Sequence, residues 1–246
     1  MASKLEESDT NATSSHYTAA KYIDIVEKTK NKMWQRYMQA ERNAITKDIE
    51  DPGAKTFIDL GAGYGRVLPY VAPIARNVIS IELNPDMFAE LQKRSKKYQN
   101  SVAVLGDLNN LQELLSLQDV VKPVFLLMQN SLGTLSFISP SKLLKKTGSI
   151  AKEYKGEFVI SLFRQEALKD AEVDIYGSAK DIVGEPDLEK TDFKKGVFVS
   201  KTGYKSKWWS RSEIEEIKIA LGGLVINEHI GKEYHIVHLS FTVPSN

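Results

Sequence analysis

The chain of 246 residues contains no cysteine. That single absence removes disulfide frameworks, thiolate zinc sites and cysteine nucleophiles. Histidine is almost as scarce: His16, His229, His235 and His238 show no metal-ligand spacing on a helix, so no metal site is expected. Neither sign of charge is in excess, with 33 Lys and Arg against 32 Asp and Glu. A chain so nearly neutral projects no broad basic field, which argues against a general nucleic-acid or membrane binder. No apolar run approaches the roughly 20 residues of a membrane span, and the polar opening lacks the apolar core of a secretory signal. A soluble cytoplasmic protein is the expectation, and its length suits one large domain, or one domain with an appendage.

What is present is organised around residues 56–67. Phe57, Ile58 and Leu60 form the short apolar run of a parallel strand covered on both faces. Gly61, Gly63 and Gly65 follow at alternate positions, where the backbone can turn tightly and approach a ligand closer than any Cβ allows. Residues 67–75 carry the spacing of a helix whose first amides point into the same crevice, with Pro69 and Pro73 confining its regular part. A dinucleotide fingerprint needs its third glycine at position 66, where Arg66 stands. Asp59, two residues before the first glycine, would face a pyrophosphate but suits a ligand carrying an amine or a sulfonium. The bland alternative is a tight strand-to-helix connection holding no ligand.

Three further strands end in polar residues. Residues 77–82 close on Glu82, about twenty residues beyond the turn, where an acid can accept the hydroxyls of a ribose, with Leu83 and Asn84 beside it. Residues 101–108 close on Gly106 and Asp107, at the carboxyl end where ligands of open parallel sheets collect. Asp107 equally suits a purely local turn. Residues 123–128 are nearly unbroken in apolar character and therefore central, and they run into Gln129, Asn130 and Ser131. Asn130 can accept a hydrogen bond from an amine, or cap the helix expected near 140–154. A fifth strand over 156–163 is followed by Arg164, which suits a substrate carboxylate or a surface ion pair.

The flanks are less regular. Residues 1–15 are polar and read as a disordered tail. Residues 16–50 read as a helical cap, with Tyr22, Ile25, Trp34, Tyr37 and Ile45 near helical spacing. Residues 51–246 form the main domain. Within it, 165–209 reads as an insertion or lid ending in a hairpin of 196–200 and 204–209, whose Lys and Trp residues suit a sheet edge better than a nucleic-acid surface. Ser210 and Glu213 make a capping box for a helix ending at Gly222, and two strands finish the chain.

Asp59, Gly61, Gly63 and Gly65, then Glu82, Asp107 and Asn130 at successive strand ends, resemble the class I S-adenosylmethionine-dependent methyltransferases, whose first motif is acidic-x-Gly-x-Gly-x-Gly. The resemblance covers about residues 50–164. Residues 130–135, Asn-Ser-Leu-Gly-Thr-Leu, resemble the fourth-strand segment of small-molecule N-methyltransferases, and the Asn/Asp-Pro-Pro-Tyr signature of base and glutamine amide methyltransferases is missing. The implied fold is α/β: a Rossmann-like, doubly wound, seven-stranded, mainly parallel sheet with an antiparallel C-terminal strand, plus N-terminal helices and a small antiparallel insertion. The implied cofactor is S-adenosylmethionine, held by Asp59, Gly61, Ala62, Gly63, Gly65, Arg66, Glu82, Leu83, Asp107, Leu108, Gln129 and Asn130. Asp107 would take the adenine amine and the Leu108 amide a ring nitrogen.

In that family, segments ahead of the first motif fold over the cofactor, which would bring Tyr17, Tyr22, Trp34 and Tyr37 to the substrate. Asn130, Tyr22 and Tyr37 are the catalytic candidates. The implied reaction is methyl transfer to a small-molecule acceptor, an amine nitrogen by the Asn130 motif. Such a reaction needs alignment more than an acid–base constellation. Alternatives left open are a methyltransferase acting on protein or tRNA, suggested by the basic stretch 194–211, and a non-catalytic S-adenosylmethionine-binding module. Monomer and dimer are both open.

Overall fold

The computed structural model describes residues 18–135, 139–177 and 179–242. The expected tail over 1–15, together with His16 and Tyr17, lies outside the described residues. Helices α1 (Ala19–Glu27) and α2 (Lys32–Thr46) come first, the second capped by Asn31, whose side chain accepts from the Trp34 amide. Strand β1 (Thr56–Leu60) is buried along its whole length. It is followed by α3 (Leu68–Val71), β2 (Asn77–Glu82), α4 (Pro85–Ser95), β3 (Ser101–Leu105), α5 (Leu111–Ser116), β4 (Val124–Leu127), α6 (Pro140–Glu153) and β5 (Glu157–Phe163). The helix expected over 67–75 is only the four residues of α3, because Pro69 sits in its first turn and Pro73 denies it a continuing amide.

These strands lie in the order β3-β2-β1-β4-β5, all parallel. Two later strands, β8 (Leu224–Ile230) and β9 (Tyr234–Ser240), extend the sheet to seven, and β9 runs antiparallel to both of its neighbours, β5 and β8. Chain order reverses at β1, whose neighbours are β2 on one side and β4 on the other. A crevice at the carboxyl ends of the strands is the geometric consequence.

Successive side chains of a strand face opposite sides. Ile58, Leu60, Phe125 and Leu127 therefore join the layer of α6 and of helix α9 (Arg211–Leu221), through Leu144, Ile214 and Ile217. Phe57, Val124 and Leu126 join the opposite layer, with Ala44 and Ile45 of α2 and Leu68 and Val71 of α3.

The stretch 165–209 is more ordered than its sequence suggests. It holds α7 (Leu168–Ala171), a π-helical turn Glu172–Tyr176, α8 (Lys180–Val183), and β6 (Val197–Val199) paired with β7 (Lys205–Lys207). The hairpin forms its own two-stranded sheet and does not extend the main one. Trp208 and Trp209 are buried, so they brace the fold and offer no stacking surface to a nucleic acid. Phe163, Phe198 and Trp208 pack with Met33 and Tyr37 of α2 and join this region to the rim of the sheet. Arg164 donates to the Gly231 carbonyl at 2.7 Å and to Glu166 at 3.2 Å, so of the two roles open to it the structure shows the ion pair.

Helix α6 meets α9 at Gly148, where an added Cβ would lie 2.2 Å from the Leu221 carbonyl oxygen. Helix propensity alone would make Gly148→Ala stabilising by about 1 kcal/mol. A backbone carbonyl cannot rotate away, so overpacking of roughly 1–3 kcal/mol decides the sign. We expect Gly148→Ala to lower the urea midpoint; a raised midpoint would show that the two helices separate freely.

Candidate functional site

The crevice at the strand ends is one continuous cavity. Its polar end is built by the turn after β1. Gly61, Gly63 and Gly65 all have positive φ, at 70°, 55° and 84°. The amides of Gly61 and Ala62 donate to the Ile81 carbonyl at 3.0 and 2.9 Å and pin the turn to β2. The three glycines serve different ends. A Cβ on Gly63 would meet nothing within 4 Å, so open space lies before it. A Cβ on Gly65 would meet Leu91 of α4 at 2.9 Å, and Gly65 does not line the cavity. Gly65 is required by its left-handed backbone beside Leu91, and it stands apart from the cavity-lining residues with which it was grouped.

Asp59, Glu82 and Asp107 converge on this end, as do Gly61, Ala62, Gly63, Arg66, Leu83, Leu108 and Gln129. Glu82 already accepts three amides, from Gly63 at 2.7 Å, Leu83 at 2.9 Å and Asn84 at 2.7 Å. Burial raises its pKa and those amides pull it back. Asp59 has no comparable set of donors: burial pushes its carboxyl up to about 7, against the pull of Arg66 and with Glu82 and Glu41 adding to the rise. Asp107 also serves its turn, accepting from the Asn109 amide at 2.8 Å. Asn84 caps α4 through the amides of Asp86 and Met87.

The tip of β4 departs from expectation. Gln129 and Asn130 both take left-handed backbone conformations, with φ 56° and 53°, which Asn tolerates and Gln adopts only when its surroundings hold it there. The Gln129 side chain enters the cavity wall, accepting from Arg66 Nε at 2.9 Å and donating to the Tyr22 hydroxyl. Asn130 faces the other way. Fully buried and outside the cavity lining, it donates to the Lys207 carbonyl at 2.9 Å and accepts from the Phe163 amide at 3.1 Å and Trp209 Nε1 at 3.0 Å. A second contact from its NH2 group, to Ser206 Oγ at 3.5 Å, engages the remaining donor, so the amide locks the hairpin to the sheet and has no capacity left for a methyl acceptor.

Tyr37 is likewise withdrawn. It is buried, its ring 4.9 Å from that of Phe163, and its hydroxyl is 2.8 Å from Ser161 Oγ. Of the three catalytic candidates only Tyr22 lines the cavity, and burial raises its pKa, so its hydroxyl stays protonated.

Glu41 was not anticipated. It is fully buried on α2, pairs with Arg66 at 2.5 Å, accepts from the Gln129 amide at 2.6 Å and from Ser161 Oγ. The signal was available: Glu41 falls on the same helical stripe as Tyr37, Ala44 and Ile45, and a carboxylate on an apolar stripe needs a partner.

No family model matches the chain, and no curated protein sequence matches it significantly. Solved structures do match. A S-adenosylmethionine-dependent methyltransferase from Aquifex aeolicus is similar at a TM-score of 0.55 and 15% identity, over 92% of this chain and 100% of its own. The CcbJ methyltransferase from Streptomyces caelestis is similar at 0.56 and 16%, over 95% and 98%. The 1,6-didemethyltoxoflavin-N1-methyltransferase from Burkholderia thailandensis, whose structure holds 1,6-didemethyltoxoflavin and S-adenosylhomocysteine, is similar at 0.54 and 13%, over 90% and 86%. The chain has the Rossmann-like fold of class I S-adenosylmethionine-dependent methyltransferases.

Removing one partner of a buried ion pair typically costs about 3–5 kcal/mol, because the other charge is left unpaired. Glu41→Gln keeps the side-chain shape and strands the Arg66 cation. We expect it to lose about 3 kcal/mol in urea unfolding, and Glu41→Gln with Arg66→Met to regain more than half of that. Additive losses in the double variant would show that the two side chains do not act as a pair.

Proposed function

We propose that this chain is a S-adenosylmethionine-dependent methyltransferase acting on a small-molecule acceptor. The observation that carries the proposal is the convergence of Asp59, Glu82 and Asp107 on one cavity whose glycine turn leaves open space before Gly63. Three carboxylates face that space, and Arg66, the cation among them, is already paired with Glu41. Such a field repels a pyrophosphate and suits a ligand bearing an ammonium and a sulfonium. When bound, S-adenosylmethionine supplies an activated methyl that an acceptor's lone pair displaces in line, the electrons of the broken carbon–sulfur bond remaining on sulfur.

The chain's own residues then bind and align. Asp59 pairs with the ammonium and becomes ionised as it does so. A carboxylate offers about four acceptor positions, so Glu82, with three amides already bound, keeps one for a ribose hydroxyl. Asp107 takes the adenine amine and the Leu108 amide a ring nitrogen. The Tyr22 hydroxyl, held by Gln129, orients the acceptor's lone pair.

The 1,6-didemethyltoxoflavin bound in a structure of this fold supports the small-molecule part of the proposal. The preference for an amine loses its support from Asn130, whose amide is spent on the hairpin. The choice between nitrogen and oxygen therefore goes to assay, by S-adenosylhomocysteine release over a panel of amines and phenols.

A pH titration tests the site itself. In the free protein Asp59 holds a proton below about pH 7. An ammonium binds only the ionised form, so affinity rises with pH up to about 7 and levels off above it. Between pH 6 and pH 8 we expect S-adenosylhomocysteine to bind about tenfold more tightly by calorimetry. Asp59→Asn should weaken binding and flatten that dependence, and Gly63→Val should weaken it by filling the open space. No binding by the unaltered protein, or a steep pH dependence that survives Asp59→Asn, rejects the assignment.

A further inference from the structure

Two groups at the charged end of the cavity still have bonds to make. Arg66 gives Nε to the Gln129 side chain and Nη2 to Glu41, and Nη1 has no hydrogen-bond partner among the described residues. Asp59 is buried and accepts from none of the described residues. Neither group is sealed off: the buried polar atoms without a partner belong to Trp34, Tyr64, Tyr70, Ser80, Glu216 and His238. Nη1 of Arg66 and the Asp59 carboxylate therefore keep open surface, and both side chains line the cavity.

They face one space without meeting. Arg66 and Asp59 are close enough to act on each other's charge, yet the ion pair of Arg66 is with Glu41. Glu41 and Gln129 anchor the guanidinium and keep it off Asp59. A guanidinium carries five N–H donors in one plane, so it can serve two carboxylates at once. Glu41 balances the charge of Arg66 and leaves Nη1 without an acceptor.

An open cationic N–H and an open carboxylate, near each other and not paired, match a ligand group that carries a carboxylate and an ammonium on one carbon. A lone anion would be desolvated beside Asp59, Glu82 and Asp107 and repelled by them. An α-amino acid brings its own counter-charge and meets a partner for each end.

We propose that Arg66 Nη1 holds the carboxylate of the cofactor's amino-acid moiety while Asp59 holds its ammonium, so that the site selects a donor whose α-amino acid is intact. This rests on reading the charged end as the S-adenosylmethionine site. Arg66 is then a specificity-determining residue shared between Glu41 and the ligand, with no part in the transfer itself.

The test compares two ligands that differ by one group: S-adenosylhomocysteine and its decarboxylated analogue, S-adenosyl-3-thiopropylamine. Each is titrated calorimetrically into the full chain. The acidic field alone favours the analogue, which is a cation, so a preference for S-adenosylhomocysteine requires a donor for its carboxylate. We expect that preference to be about tenfold, the usual worth of a charge-assisted hydrogen bond. Arg66→Lys keeps a cation for Glu41 but has no planar fork to serve a second carboxylate; in it the preference should vanish or reverse. Asp59→Asn should weaken both ligands and keep the difference between them. Should Arg66→Lys fail to fold, Glu41→Gln with Arg66→Met removes the guanidinium without stranding a charge, and the same loss of preference is expected. Equal affinities in the unaltered protein overturn the inference, and so does a preference that outlives the guanidinium. If neither ligand binds the unaltered protein, the cofactor reading itself fails; if both bind equally, that reading stands and only the role of Arg66 falls.

Discussion

A buried ion pair between two segments far apart in sequence holds the site in shape. Glu41 of α2 reaches Arg66, the residue immediately after the glycine turn, and the same carboxylate accepts the Gln129 amide and the Ser161 hydroxyl. One side chain thereby joins a helix, the turn after β1, the tip of β4 and the middle of β5. In a low-dielectric interior such a network is stable only when every member is satisfied, and its geometry is correspondingly exact. Gln129, in turn, keeps its strained left-handed backbone because Glu41 holds its amide and Arg66 its side chain.

The same pair shapes the electrostatics of the cavity. By neutralising Arg66, Glu41 leaves Asp59, Glu82 and Asp107 facing the open space with no free cation among the lining residues described. Asp59 responds by holding its proton up to about pH 7, a direct consequence of burial beside other carboxylates. A cationic ligand is the partner this field asks for. The far end of the cavity differs in kind: it is lined by rings and aliphatic side chains, with no charged lining residue among those described. Two chemically distinct halves in one enclosure suit the proposed transfer between two unlike molecules.

The insertion after β5 is part of this arrangement and no loose appendage. Asn130 ties the hairpin to the sheet through the Lys207 carbonyl and the Trp209 indole, while Phe163 and Trp208 stack across the junction. Gly133 makes the close approach possible, since a Cβ there would lie 2.3 Å from the Lys207 oxygen. An asparagine that reads in sequence as a chemical group is in fact a fastener, and the aromatic wall stands where it does because of it.

Local sequence carried the parallel sheet and the acidic ends of its strands. Apolar runs such as 57–60 and 124–127 have one stable environment, buried between two helical layers, and their order along the chain leaves few ways to wind them. Glycines at alternate positions with an acid two residues earlier mark a tight turn beside a ligand, because backbone conformation is a local property. Which way Asn130 and Tyr37 point, and what Glu41 pairs with, depend on contacts 25 to 124 residues away. No local pattern encodes such distances. The role of a polar side chain is settled by the partner that reaches it first, and that partner is supplied by the packing of the whole chain.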